Sequence, residues 1–131
     1  MGTIRHHARI DRPADEVWKE VANWGSVSDW FPMITESRIQ DDGTRFCRLG
    51  NGAALEEQLV TRDHDKRRFQ YSIVAGDVPV EYHLGTVDVL EDGEGALAVY
   101  SVDIKPDELA ETFDPAVKDA IEGLKELAEQ R

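Results

Sequence analysis

Apolar and polar residues alternate over most of this chain, in runs that are short and end abruptly. Over residues 3–10, Ile4, His6, Ala8 and Ile10 share one parity, and Thr3, Arg5, His7 and Arg9 the other. A two-residue period of this kind predicts a half-buried strand. Comparable strand patterns recur over residues 34–40, 44–49, 53–62, 67–75, 80–90 and 96–104. The separators carry turn residues: Asp41-Asp42-Gly43, Gly50-Asn51-Gly52, Asp63-His64-Asp65, Gly76-Asp77 and Asp92-Gly93-Glu94-Gly95. Connections this short join strands antiparallel, as hairpins of a meander.

Two regions switch to helical spacing. In the first, Asp11 is placed to cap, Pro13 suits a first turn, and Asp15 and Glu16 complement the helix dipole. Val17, Trp18, Val21 and Ala22 form its apolar stripe, and Gly25 ends it. Ser26 and Asp29 resemble a capping box for a second, very short helix that carries Val27, Trp30 and Phe31 and stops at Pro32. At the other end of the chain, Asp114 and Pro115 open a long helix running to Glu129. Val117, Ala120, Ile121, Leu124, Leu127 and Ala128 line one face of it. Residues 108–113 read as an extra turn ahead of it.

The resulting order is strand, two short helices, six strands, long helix. It predicts an α+β fold: a seven-stranded curved antiparallel sheet, one face of which must be covered. The C-terminal helix is the only element large enough to do so. A strongly curved sheet on a single helix leaves space between them, a candidate ligand cavity.

Composition narrows the function. The 131 residues make one domain's worth of chain, read here as a single domain over residues 1–131. A formal charge of −12 argues against nucleic-acid partners and anionic membrane surfaces. The longest unbroken apolar run, residues 96–100, is far too short to insert into a bilayer. Cys47 stands alone, so no internal disulfide can form, and its strand-like setting suits packing better than nucleophilic chemistry. With no signal-like apolar stretch near the start, the expected location is cytoplasmic. The four histidines lack metal-ligand spacing, and no cofactor motif is present, so neither metal nor cofactor is expected. His6 faces inward by parity. His83 faces inward if Val87 and Val89 set the parity, and outward if Tyr82 and Leu84 do; a bulge near Gly85 would allow both.

Several local motifs, taken in order, resemble one family. They are residues 10–18 (Ile-Asp-Arg-Pro-Ala-Asp-Glu-Val-Trp), Trp30-Phe31-Pro32, Arg45, Leu49, Gly50 and Gly52. Glu57 with Leu59, Tyr71 with Ile73, and Gly123-Leu124 with Leu127 complete the set. This series resembles the START-like, or SRPBCC, helix-grip superfamily, and within it the polyketide cyclase/dehydrase and lipid-transport branch. The resemblance implies the helix-grip fold and an internal ligand cavity. It implies no single reaction, because members of this branch transport, sense or cyclise different molecules. By the same resemblance, Trp30 closes the pocket, with the turn over residues 76–79 nearby.

Glu57 is the most informative residue. Leu55 and Leu59 flank it at the same parity, which puts a carboxylate on an apolar inner face. If residues 50–52 form a three-residue turn, Leu49 opposes Ala53, Cys47 opposes Leu55, and Arg45 opposes Glu57. An Arg–Glu pair on the concave face follows, because an isolated carboxylate there would be costly. The pair either satisfies itself or anchors a polar group of a ligand. Tyr71 shares parity with Phe69 and Ile73 and is expected beside Glu57; Tyr100 is a second candidate from the last strand.

Two functions are compatible with this pattern. The first is binding of a small hydrophobic or amphipathic molecule. Leu55, Leu59, Phe69, Ile73, Val117, Ile121 and Leu124 would form the walls, and Trp30, Arg45, Glu57, Tyr71 and Tyr100 the remaining contacts. The second is a cyclase- or dehydratase-type enzyme in which Glu57 acts as general acid or base. The discriminator is whether Arg45 neutralises Glu57. A monomer or weak homodimer is expected in either case.

Overall fold

The computed structural model describes residues 1–131. Each run of alternation becomes a strand: β1 (Gly2–Ile10), β2 (Ile34–Ile39), β3 (Arg45–Leu49), β4 (Ala54–Asp63), β5 (Arg68–Gly76), β6 (Tyr82–Asp92) and β7 (Gly95–Lys105). They form one antiparallel sheet in the order β1-β7-β6-β5-β4-β3-β2. Consecutive strands from β2 to β7 are neighbours, and β1 closes onto β7, as the short turns require. The helices are α1 (Ala14–Ala22), a 3-10 helix (Trp24–Asp29) and α2 (Glu108–Gln130).

The helix ends differ from the sequence expectation for local reasons. Pro13, not Asp11, precedes α1. The Asp11 backbone N–H instead donates to Glu129 on α2 at 2.9 Å. Asn23 ends α1, which leaves Gly25 inside the 3-10 helix. There is no capping box, because the Ser26 hydroxyl donates to the Asn23 carbonyl. Asp114 does not start a helix either. Its carboxylate meets His6 Nε2 at 2.8 Å, and α2 begins at Glu108 and runs through Pro115. Pro115 removes one N–H from the ladder. Phe113, nearly buried, holds the preceding turns against the core. The far end of α2 is closed by Arg12, whose guanidinium donates to the carbonyls of Glu129 at 2.7 Å and Arg131 at 3.1 Å. A cation there also complements the helix dipole. The strand expected from residue 67 starts at Arg68. Arg67 itself turns the chain at φ 52° and bridges Asp15 and Glu91.

The helices do not cover the sheet evenly. α2 lies chiefly across β1 and β7, α1 across β6 and β7, and the 3-10 helix across β2 and β3. β4 and β5 receive no comparable helix contact. The inner face there is filled instead by aromatic rings: Trp24 on Phe69, Phe69 on Tyr71, Tyr71 on Tyr100, and Tyr100 on Trp30 and Phe31. These rings join one continuous core that includes Ile10, Val17, Val89, Ile104 and Leu124. No helix is long and apolar enough to cross a membrane.

One close approach fixes the height of α2. A methyl group on Gly123 would run into the Trp30 carbonyl oxygen, well inside contact distance. Glycine inside a helix ordinarily lowers stability by roughly 1 kcal/mol relative to alanine. At this position overpacking opposes and exceeds that gain. Gly123→Ala is therefore expected to destabilise the protein by about 1–3 kcal/mol in a urea melt; a stabilised variant would mean that α2 is free to shift.

Candidate functional site

The three-residue turn after β3 sets the central pair. The Leu49 N–H donates to the Ala53 carbonyl, so Cys47 opposes Leu55 and Arg45 opposes Glu57. Both charged residues are almost fully buried, Arg45 at 2% and Glu57 at 3% exposure. Arg45 donates from Nε to Glu57 Oε1 at 2.7 Å, and Nη2 lies 2.6 Å from the same oxygen in an ion pair. The Cys47 thiol adds a third, longer contact to the same oxygen at 3.3 Å. Oε2 accepts no hydrogen bond from the protein, yet it is not among the fully buried polar atoms without a partner.

The other side of the guanidinium is equally occupied. Nη1 donates to the Trp24 carbonyl at 3.1 Å, and the group lies 4.0 Å above the Trp24 ring. Arg45 thus ties the 3-10 helix to the sheet while it neutralises Glu57. Burial is the largest single influence and opposes the charge on Arg45, but Glu57, with smaller help from Cys47 and Tyr71, raises the pKa on balance. Burial also pushes up the pKa of the Cys47 thiol, with Glu57 adding to the shift, so Cys47 stays protonated and is not a nucleophile.

Tyr71 sits one rung from the expected place. Register shifts in β4 set Glu57 opposite Ile73 and Tyr71 opposite Leu59. Its hydroxyl bonds to that of Tyr100 and not to Glu57. Burial raises the pKa of both phenols. The Tyr71 ring lies over Gly85, where any side chain would collide with it.

His83 is the residue that sequence reasoning left undecided. β6 has no bulge, so His83, Gly85, Val87 and Val89 all face inward. β5 and β6 pair only from Arg68–Asp88 to Tyr71–Gly85. Beyond that the strands separate, and His83 fills the seam. Its Nδ1 accepts the Ile73 N–H at 3.1 Å, and its carbonyl accepts the Ser72 hydroxyl. Burial lowers the imidazole pKa to about 4, with the nearby Glu57 charge opposing the shift.

A cavity of about 20 Å³, counted as space open to the centre of a water molecule, lies at this junction. Leu55, Glu57, Tyr71, Ile73 and His83 line it from β4 to β6, and Val102 from β7; Phe31, Met33, Ile34 and Phe113 complete the wall. On that measure it holds roughly one water molecule. Of the residues singled out from the sequence, Leu55, Glu57, Tyr71 and Ile73 therefore meet at the cavity. Arg45 stands behind Glu57, and Tyr100 behind Tyr71. Trp30, Phe69, Val117, Ile121 and Leu124 are packed into the core away from the cavity wall, and Leu59 is half-buried beyond Tyr71. Trp30 is buried between Phe31 and Tyr100, and its neighbour Phe31 takes the place at the wall. The wide space expected under a single helix is largely filled by the aromatic rings. The facing of His83 was left open, and Phe31, Met33, Ile34, Val102 and Phe113 were not singled out as lining. Parity alone could have found Val102, whereas His83 needed the unbulged course of β6.

Larger hollows lie on the outside. One of about 640 Å³, on the same measure, runs past Asp11, Asp15, Arg67, Glu91 and Glu94. It is open, charged surface relief away from the buried groups. No three His, Cys, Asp or Glu side chains are arranged to hold a metal ion.

Curved sheet, crossing C-terminal helix and buried polar site define a helix-grip protein of the START-like, or SRPBCC, class. The chain belongs to the polyketide cyclase / dehydrase and lipid transport family, whose model matches residues 1–129. Among solved structures it is similar to the protein XoxI from Bacillus cereus, with 26% identity and a TM-score of 0.89 over 97% of this chain and 95% of that one. A START superfamily protein from Mycobacterium smegmatis gives 13% identity and a TM-score of 0.80, covering 99% of both chains. Norcoclaurine synthase from Thalictrum flavum gives 18% and 0.74, over 98% of this chain and 87% of that one. The last two likenesses concern the fold alone. No curated protein matches the chain.

The buried pair and His83 each generate a measurement. Removing one partner strands a buried charge, whereas removing both does not. Arg45→Met and Glu57→Gln are each expected to lose about 3–5 kcal/mol, and the double variant much less than the sum; additive losses in denaturant melts would refute the pairing. His83 titrates near 6.5 when unfolded and near 4 in the fold. On acidification the unfolded chain takes the proton first. Its contribution is thus complete above pH 6.5 and is lost as the pH falls towards 4, up to about 3 kcal/mol in all. Stability should fall more steeply between pH 6.5 and 4.5 in the wild type than in His83→Phe; parallel slopes would contradict this.

Proposed function

We propose that this protein binds a small, mostly apolar molecule in the cavity between β4, β5, β6 and the start of α2, with the polar end of the ligand at Glu57. One observation carries the reading. Glu57 is locked through Oε1 by Arg45, yet it lines the cavity with Oε2 unengaged. A carboxylate needed only to satisfy its arginine would use both oxygens or be walled off. Apolar walls with few fixed polar groups are the general design of small-molecule sites.

Family membership supports a ligand-binding or cyclase-like role. The neutralised state of Glu57 favours binding over acid–base chemistry, because Arg45 already satisfies the charge that a general base would use. At about 20 Å³ the cavity admits a ligand only when side chains yield. Met33 and Phe113, at the half-covered end near the start of α2, are the ones that can. Met33 adapts its shape at little cost.

The test uses the uncharged fluorophore N-phenyl-1-naphthylamine and the wall residue Val102. Wild-type protein should enhance its emission saturably. Val102→Phe, which fills the cavity, should bind it at least about ten-fold more weakly while still unfolding cooperatively. Equal binding by a folded Val102→Phe protein would overturn the proposed site. Native mass spectrometry of protein purified from its own cells should also reveal an apolar mass released on unfolding.

A further inference from the structure

We propose that His83 is a specificity residue of this site, donating from Nε2–H to a ligand hydroxyl that in turn donates a hydrogen bond to Glu57 Oε2, so that the site selects neutral hydroxyl-bearing molecules over carboxylates. The inference rests on the binding function proposed above and adds the chemistry of the ligand's polar end.

The tautomer is set by the fold. The Ile73 N–H has lost its ladder partner where β5 leaves β6, and it donates to His83 Nδ1 at 3.1 Å. An imidazole nitrogen that accepts carries no proton, so the single proton of the neutral ring is on Nε2. The one hydrogen bond of the His83 side chain is made through Nδ1, and the ring lines the same cavity as Glu57. Neutrality at physiological pH agrees with the burial, which holds the pKa near 4. Of the charged groups, Glu57 is the one that acts on His83 across the cavity.

The junction therefore offers the fixed His83 donor opposite one anionic acceptor, Glu57. Of the other polar side chains nearby, Arg45 is consumed by Glu57 Oε1 and the Trp24 carbonyl, and Tyr71 and Tyr100 bond each other, which leaves one of their two hydroxyl protons over. A hydroxyl both donates and accepts, so it satisfies His83 and Glu57 together. A carboxylate would place a second negative charge beside Oε2 in an apolar cavity, with the only nearby cation turned away behind Glu57. An ether would satisfy His83 and leave Oε2 unpartnered.

The tautomer can be read directly. A long-range proton–nitrogen correlation spectrum at pH 7 should show Nε2 of His83 as the protonated nitrogen and Nδ1 as the bare one; the opposite tautomer would overturn the proposal. The ligand preference is tested by titrating isotope-labelled wild-type protein at pH 7.5 with 1-octanol, octanoate and methyl octyl ether, followed through the methyl signals of Leu55, Ile73 and Val102. Octanol should bind at least about ten-fold more tightly than octanoate and several-fold more tightly than the ether. In His83→Phe, which keeps a ring in the seam but no donor, octanol and the ether should both bind several-fold more weakly, with the margin of octanol over the ether retained; unchanged octanol affinity would overturn the role of His83. Octanoate binding as well as octanol would overturn the hydroxyl preference and leave the binding function standing. Failure of all three to bind would overturn both.

Discussion

The buried Arg45–Glu57 pair is the constraint on which the rest of this structure depends. Two charges removed from water are expensive, and their mutual attraction compensates only when the geometry is close and the remaining hydrogen-bonding groups are met. Here the guanidinium satisfies that condition in three directions: towards Oε1, towards the Trp24 carbonyl and over the Trp24 ring. The register of β3 on β4, the seat of the 3-10 helix and the path of the chain into β2 therefore have to agree with one another. The same geometry leaves Oε2 over, and a single unengaged carboxylate oxygen in an apolar wall gives this core its chemistry.

The second feature is uneven coverage. A helix-grip protein is easily pictured as a half-barrel holding a large empty space, but here α2 lies over β1 and β7 and aromatic rings fill much of the remainder. The space that persists is small and lies where β5 and β6 part, the place where the sheet itself is least regular. His83 repairs that irregularity by accepting the orphaned Ile73 N–H. An imidazole that accepts through Nδ1 carries its proton on Nε2, so a repair of the backbone also fixes a donor on a ring that lines the cavity. In the proposed site a structural and a binding role meet in this one side chain.

Much of this was legible in the sequence because strand chemistry is local. The turn at residues 50–52 and the parity of Leu55, Glu57 and Leu59 placed Arg45 against Glu57 with no reference to the rest of the chain. Helix ends were less legible, since tertiary partners captured the capping residues: Asp114 by His6, and the Asp11 N–H by Glu129. Tyr71 was displaced by one rung because β4 shifts its register twice, and such bulges leave no mark in the pattern of apolar positions. The cavity wall was the least legible part. Which of Trp30 and Phe31 faces it, and whether Val117, Ile121 and Leu124 face space or neighbours, depends on where α2 settles over the sheet. That in turn depends on contacts such as Gly123 against the Trp30 carbonyl.

The ligand site proposed for this protein is the Glu57 junction and not an outer surface. It is tested most directly by intermolecular nuclear Overhauser effects between bound 1-octanol and methyl-labelled protein. Contacts are expected from the alkyl chain to Leu55, Ile73, Val102 and Met33, with none to the outward-facing Val60, Val74 or Leu90. Contacts confined to those outer residues, or to the groove past Ala14 and Glu91, would contradict it.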